Sequence, residues 1–338
     1  MGEIERTTIP DETIDKGRRF DLQRLLTMAS LVILIVFFMT YGHFARGLNL
    51  PSFSVNVLES AYYIGFLAIG VTFIIITGGI DLSMGTVMMC GALVGGAAFN
   101  LWGFPMWLSL VLIIVITTLF GLLNGFLVAK LKLPPFIATL GTMMIAQGLG
   151  ATLAKVQTQR FPTMADDGGW FKQVFLRTAG GFPVGIFWLA GFFLLALFLL
   201  NKTKFGKYTF AIGSNMEAAR LSGINTQKWL TLIYTASGIF YGFAGILYAA
   251  TFTTVLPMGG SGLELQGIAA VVIGGTSLVG GVGSLSGTMI GVFIMATLKV
   301  GLMAVGIPQQ LQTLLIGVVV VLAVLLDIYR QNAAARVK

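Results

Sequence analysis

Charge is scarce in this sequence. Only 10% of its 338 residues are Asp, Glu, Lys or Arg, against roughly 25% in an ordinary soluble domain. Hydrophobic residues make up 56% and the mean hydropathy is +0.91. Such a chain cannot cover its own surface with polar groups in water. That excludes a soluble enzyme, a nucleic-acid-binding protein and a disordered protein. The net charge of +8 therefore points to no nucleic-acid partner; it matters through its placement around membrane spans. The single cysteine, Cys90, excludes an intramolecular disulfide and a cysteine metal site. The single histidine, His43, excludes a multi-histidine metal site and the His-Glu-x-x-His motif. No Gly-x-x-x-x-Gly-Lys-Ser/Thr loop appears; the nearest stretch, Gly280–Gly287, lacks the lysine. The chain is therefore expected to lack an ATPase site, a metal site and any catalytic residue.

What is abundant is apolar sequence. A membrane-spanning helix takes about 20 apolar residues. Ten hydrophobic segments meet or approach this: Leu25–His43, Asn56–Ile76, Met84–Phe99, Met106–Ala129, Phe136–Ala154, Pro183–Leu200, Trp229–Phe252, Glu264–Gly280, Ser284–Gly306 and Gln309–Asp327. They do not alternate, which argues against a membrane β-barrel, and lipid offers no partner for unpaired backbone. The expected fold is all-α: a polytopic integral membrane protein of about ten transmembrane helices, with a transmembrane domain over residues 25–330. The stretch Met1–Arg24 holds five basic and six acidic side chains and no apolar run, so it reads as a flexible polar tail rather than a signal peptide. Residues 331–338 form a short C-terminal tail.

With the N-terminus inside, the inner segments carry 15 Lys and Arg and the outer segments, 44–55 and 155–182, carry five. That asymmetry places both termini in the cytoplasm.

Two segments are interrupted by glycine. Thr77-Gly78-Gly79-Ile80-Asp81-Leu82-Ser83 and Ile273-Gly274-Gly275-Thr276-Ser277-Leu278 share a Gly-Gly-x-x-Leu pattern, which sets Gly78 opposite Gly274 and Asp81 opposite Ser277. The match reads as the trace of an internal repeat with broken helices, a feature of many transporters. Glycine permits the change of direction, and Asp81 or Ser83 can cap the helix that restarts. Glu59 and Glu264, at the starts of spans, suit either interfacial solvation or an outer vestibule. Lys299 is expected to snorkel to an interface, His43 to sit at one, and Cys90 to pack. Gly91 and Gly95 form a Gly-x-x-x-Gly contact pattern. Asn124, Thr139, Thr142, Gln147, Gln266 and Thr297 are polar within spans and must face other helices or a watery path. With Tyr62, Tyr63 and Phe66 nearby they suit a neutral polyhydroxyl solute; helix packing explains each residue equally well.

The loop 201–228 is the most distinctive stretch. Ser214 or Asn215 can cap a short helix Met216–Ser222 that Gly223 terminates. Ala218, Leu221 and Ile224 give it an apolar side suited to docking in a partner's groove.

These residues resemble a family. Glu217-Ala218-Ala219-x-x-x-Gly223 is similar to the cytoplasmic coupling motif of bacterial ATP-binding-cassette importers, though Met216 stands where the motif often has a first acid. Together with Thr77–Gly85, Phe136–Gly141, Ala219–Ile224 and Gly274–Gly283, in order over about residues 25–330, the chain resembles the ribose-type sugar permeases of the branched-chain amino acid/ribose-type permease family. The resemblance implies an ABC permease subunit that imports a monosaccharide through the inner membrane and pairs as a homodimer. It implies cytoplasmic ATPase subunits, which hold the ATP and magnesium, docked on Glu217, Ala218, Ala219, Arg220 and Gly223. A periplasmic sugar-binding protein would deliver the cargo. Gly78, Gly79, Asp81, Gly274 and Gly275 would be the gating breaks, and Asn124, Thr139, Thr142, Gln147 and Gln266 the path. The competing readings are an ion-coupled secondary transporter, for which Asp81 is the one good intramembrane acid, and a membrane-embedded enzyme, which lacks a nucleophile–base pair.

Overall fold

The structure is a computed structural model that describes residues 12–47 and 49–335; residues 1–11 and 336–338 of the expected tails lie outside the described residues. Among the described residues, thirteen helices and one pair of very short strands follow in order: α1 (Glu12–Arg46), α2 (Leu50–Ile76), α3 (Met84–Asn100), α4 (Met106–Ala129), α5 (Pro135–Leu153), β1 (Gln159–Arg160), α6 (Trp170–Phe175), α7 (Gly185–Lys202), α8 (Lys204–Ser214), α9 (Met216–Leu221), α10 (Thr226–Phe252), β2 (Thr254–Val255), α11 (Leu263–Ile273), α12 (Leu285–Ala304) and α13 (Gln309–Ala335). The all-α polytopic reading holds. Every expected hydrophobic segment carries a helix, and eight helices are long and apolar enough to cross a membrane. The other two are shorter: α3 has 17 residues and α11 only 11. At 1.5 Å per residue α11 is about 16 Å long, roughly half the hydrocarbon thickness. It ends at Ile273, so the expected span Glu264–Gly280 is a half-helix followed by irregular chain. At the other end of the sequence, α1 begins at Glu12, so residues 12–24 continue the first helix instead of forming a flexible tail.

α2 is the axis of the bundle. From Glu59 to Ile76 every residue is buried, because α10, α11, α12 and α7 surround it. Small residues let them close in. A Cβ at Gly70 would lie 2.9 Å from the Tyr241 ring, and Ser237 Oγ donates to the Gly70 carbonyl at 2.7 Å. α4 and α10 meet through Gly121, Gly125, Gly238 and Gly242, each facing the other helix's backbone; such contacts replace the hydrophobic drive that lipid cannot supply. Gly91 and Gly95 seat α3 on Ile113 of α4, as the Gly-x-x-x-Gly pattern requires. Cys90 is buried against Gly150 of α5. α1 and α13 lie at the periphery with apolar faces outward, and Phe38 of α1 presses on Gly301 of α12. On the face opposite α9, β1 and β2 pair antiparallel, Gln159 with Val255 and Arg160 with Thr254. This ties the loop after α5 to the end of α10.

Candidate functional site: a loop helix, two breaks and a half-helix

The two breaks end their helices identically. After α2, Gly78 N donates to Ile75 O at 2.9 Å and Gly79 N to Ile74 O at 3.1 Å, with Gly78 at φ +78°. After α11, Gly275 N donates to Val272 O at 2.9 Å and Thr276 N to Val271 O at 3.2 Å, with Gly275 at φ +90°. Both are Schellman closures, in which glycine takes the left-handed position. Gly78 therefore corresponds to Gly275. The expected alignment of Gly78 with Gly274 is corrected by one position, and the counterpart of Asp81 is Leu278, not Ser277.

The breaks touch each other and the end of α8. Gly281 N donates to Ile76 O at 2.9 Å. A Cβ on Gly280 would meet Gly78 N at 2.8 Å and Gly213 O at 3.0 Å, and one on Gly213 would collide with Ile76 O. Gly281 lies on Ser214. Three backbones thus converge where no side chain fits.

Asp81 is buried in the bundle. Its Oδ1 accepts from Ser83 N at 2.8 Å and Ser83 Oγ at 2.6 Å, and its Oδ2 from the Tyr241 hydroxyl at 3.0 Å. Asn124 Nδ2 donates to Ser83 Oγ at 2.9 Å, and Thr142 Oγ1 to Asn124 Oδ1 at 2.6 Å. Thr139 Oγ1 donates to Pro135 O at 2.8 Å, with Ile80 O at 3.3 Å. The network joins the first break to α4, α5 and α10. Ser83 stands at the N-cap of α3, but its hydroxyl is held by Asp81 and makes no cap bond. Asn124, Thr139 and Thr142 thus make their hydrogen bonds inside the protein. Tyr62, Tyr63 and Phe66 are likewise core residues, with no exposure.

Lys299 Nζ donates to Tyr63 Oη at 2.6 Å and lies 5.1 Å from the Tyr63 ring centre and 5.8 Å from that of Phe252, the last residue of α10. Interfacial solvation of Glu59 and Glu264 is corrected, since both are buried. Glu59 pairs with Arg177 at 3.2 Å. Nearby, Lys172 Nζ donates to Thr253 Oγ1 at 2.5 Å. Burial, with repulsion from Arg177, draws the Lys172 ammonium below the ordinary lysine range. His43 is exposed near the end of α1, edge-on to Phe44.

The loop helix forms where expected. Asn215 Oδ1 caps α9 by accepting from Ala218 N at 2.9 Å. Gly223, at φ +83°, ends it: Ile224 N reaches Ala219 O at 3.1 Å and Gly223 N reaches Arg220 O at 3.0 Å. Ala219 is pinned against Ala129, Ile212 and Leu230. The opposite side is open: Leu221 is 78% exposed, Ala218 is exposed, and Glu217 pairs with Arg220 at 2.5 Å on the surface. Ile224 is half-buried. Beside the helix runs a groove of about 880 Å³, lined among others by Lys132, Pro134, Met216, Glu217, Arg220 and Gln227.

On the other side of the bundle, the chain between β2 and α11 is irregular. It passes through left-handed backbone at Met258 (φ +59°), Gly260 (φ +98°) and Gly262 (φ +92°). Gln147 Nε2 of α5 donates to Met258 O at 3.0 Å. The segment packs on the first turns of α3 at Gly85 and Met89. Glu264 Oε1 then accepts from Gly262 N at 2.8 Å at the start of α11. Sequence reasoning passed over this segment, although Gly259-Gly260-Ser261-Gly262 ahead of Glu264 is a signal of the same kind as the two breaks. It also passed over Gly213 and Tyr241, whose partners are distant in sequence.

Residues 53–324 match the family model described as branched-chain amino acid transport system / permease component. The ribose import permease protein RbsC of Bacillus subtilis is 37% identical, covering 94% of this chain and 97% of the relative. RbsC of Escherichia coli K12 is 34% identical over 95% of this chain and 99% of its own. The fructose import permease protein FrcC of Rhizobium meliloti is 33% identical over 96% and 91%. No solved structure is significantly similar to the chain. With its apolar helices, two glycine breaks and capped loop helix, the chain belongs to this family of permease components and is a multi-pass inner-membrane protein.

Proposed function

We propose that this chain is the membrane-spanning subunit of an ATP-driven importer of a monosaccharide, such as a pentose or hexose. It works as a homodimer with two cytoplasmic ATPase subunits, which carry the ATP and magnesium, and receives sugar from a periplasmic binding protein. The chain itself does no covalent chemistry. Both termini lie in the cytoplasm, in keeping with the excess of Lys and Arg on the α8–α9 side.

One observation carries the coupling part of this reading. α9 presents Glu217, Ala218, Arg220 and Leu221 outward, and it follows α8 directly. The last turn of α8 touches both breaks at Gly213. A push on α9 from an ATPase has a short route, largely through backbone, to the end of α2 and to the loop that follows α11. Packed backbones of this kind have discrete arrangements, so the route favours a two-state change over gradual bending. The family relatives whose names specify ribose, fructose, xylose and galactose support the sugar class.

The test is reconstitution. Vesicles holding this chain with its ATPase subunits and binding protein accumulate labelled sugar on ATP addition, and the chain alone does not. Uphill uptake by the chain alone, or uptake that a proton-gradient uncoupler abolishes at constant ATP, contradicts the proposal.

A further inference from the structure

Irregular backbone is stable at membrane depth only where protein or water meets its polar groups. The segment from Leu256 to Gly262 meets protein on one side only. Its depth follows from its packing. A Cβ on Gly260 would lie 2.6 Å from the Gly85 carbonyl and 2.8 Å from the Met89 side chain. Gly85 is ten positions along α3 from Gly95, which faces Ser109 in the first turn of α4. That is about 15 Å inward from the end of the bundle. Yet Leu256 and Met258 are each 57% exposed, and a Cβ on Gly262 would meet nothing within 4 Å among the described residues. A lipid tail cannot satisfy this face.

The half-helix α11 starts at this depth. Its first turn carries Glu264 and Gln266, each only 9% exposed. Glu264 Oε1 is held by Gly262 N, but Glu264 Oε2 and Gln266 Oε1 are buried without a hydrogen-bond partner among the described residues. An unmatched buried acceptor is destabilising because it gives up its bond to water for nothing, so two in one turn signal a missing donor. The charges narrow the choice of ligand. The positive end of the helix disfavours a cation, and the Glu264 carboxylate disfavours an anion. A neutral polyol avoids both and supplies O–H donors.

We propose that the transported solute makes its midway contact here, with Glu264 Oε2 and Gln266 Oε1 accepting hydrogen bonds from two of its hydroxyl groups. The open side of residues 256–262 is then the wall of a water-filled path, and the Gln147 bond to Met258 O fixes that wall to α5. This assignment deepens the sugar-importer reading and rests on it.

Two measurements on the complete complex test it. The first is ATP-driven uptake of labelled ribose, fructose, xylose and galactose by Gln266→Leu and Glu264→Gln. At sugar concentrations below saturation, uptake of the preferred sugar falls at least tenfold for Gln266→Leu and at least threefold for Glu264→Gln, with unchanged recovery of the assembled complex. Uptake within twofold of the unsubstituted complex in both variants overturns the site. The second needs no active transport and no disruptive variant. Met258→Cys in native membranes reacts with a hydrophilic maleimide, the preferred sugar slows the reaction, and the unsubstituted chain, with only buried Cys90, does not react. Reaction only with a membrane-soluble maleimide places Met258 against lipid and overturns the path. If the unsubstituted complex carries none of the four sugars, the sugar reading fails and the contacts with it, while hydrophilic labelling still identifies the loop as a water path.

Discussion

Gly281 donates its amide to the carbonyl of Ile76 across 2.9 Å. Ile76 is the last residue of α2, and Gly281 lies between α11 and α12. This one bond joins two helix breaks that lie in opposite halves of the sequence, and Gly213 of α8 closes over it. Sequence, packing and proposed mechanism meet here, because only glycine fits at these points.

Gly213→Ala is the sharpest test of the junction. Its Cβ would overlap Ile76 O and approach Gly281 N, and backbone cannot rotate away as a side chain can. A cost of about 1–3 kcal/mol is expected from such overpacking. ATP-driven uptake should drop at least tenfold while the ATPase subunits still co-purify. Normal uptake would mean that the junction carries no movement.

Glu217→Lys and Ala218→Trp should abolish uptake with almost no change in melting temperature. Both positions are exposed, and surface ion pairs such as Glu217–Arg220 contribute little to stability. Gly223 differs: at φ +83° any side chain strains the cap, so Gly223→Leu lowers both uptake and stability. Uptake by all three variants at the unsubstituted rate would remove α9 from the mechanism.

Asp81→Ala should be destabilising by about 2–4 kcal/mol, since it leaves the Ser83 amide and hydroxyl and the Tyr241 hydroxyl without their acceptor. Asp81→Asn should recover part of that loss. Thermal unfolding of the purified variants measures it. Unchanged stability in Asp81→Ala would show the carboxylate to be a dispensable cap.

Arg177→Ala leaves the buried Glu59 carboxylate without its ion-pair partner. A loss on the order of 1–3 kcal/mol is expected, largely restored in the double variant with Glu59→Gln. A double variant no better than Arg177→Ala would show that the pair is not what holds the loop between α6 and α7 to α2.

Much of this architecture was legible because hydrophobic runs, caps and glycines act locally. Asn215 and Gly223 bracket α9 as their chemistry dictates, and each apolar run became a helix. Length misled once. The run Glu264–Gly280 reads as one span, but Gly275 turns the chain after Ile273. The repeat was visible as Gly-Gly pairs, yet its register depends on which glycine takes positive φ, and that is settled by the helix end rather than by spelling. Among the polar residues, Asn124 and Gln266 look alike in sequence. Asn124 bonds to Ser83 and Thr142, whereas Gln266 Oε1 has no partner among the described residues. Only three-dimensional neighbours separate them. The Gly213–Ile76 and Tyr241–Asp81 contacts join elements far apart along the chain and leave no local mark.

The most direct measurement of the central claim is a photo-cross-link from Leu221, which points outward from α9 with 78% exposure. With a photoreactive residue at 221 in native membranes, the account predicts one dominant adduct, to an ATP-binding subunit, whose yield changes between nucleotide-free and ATP-trapped states. Adducts to lipid alone, or to this chain's own helices, would place α9 away from any ATPase and contradict the account.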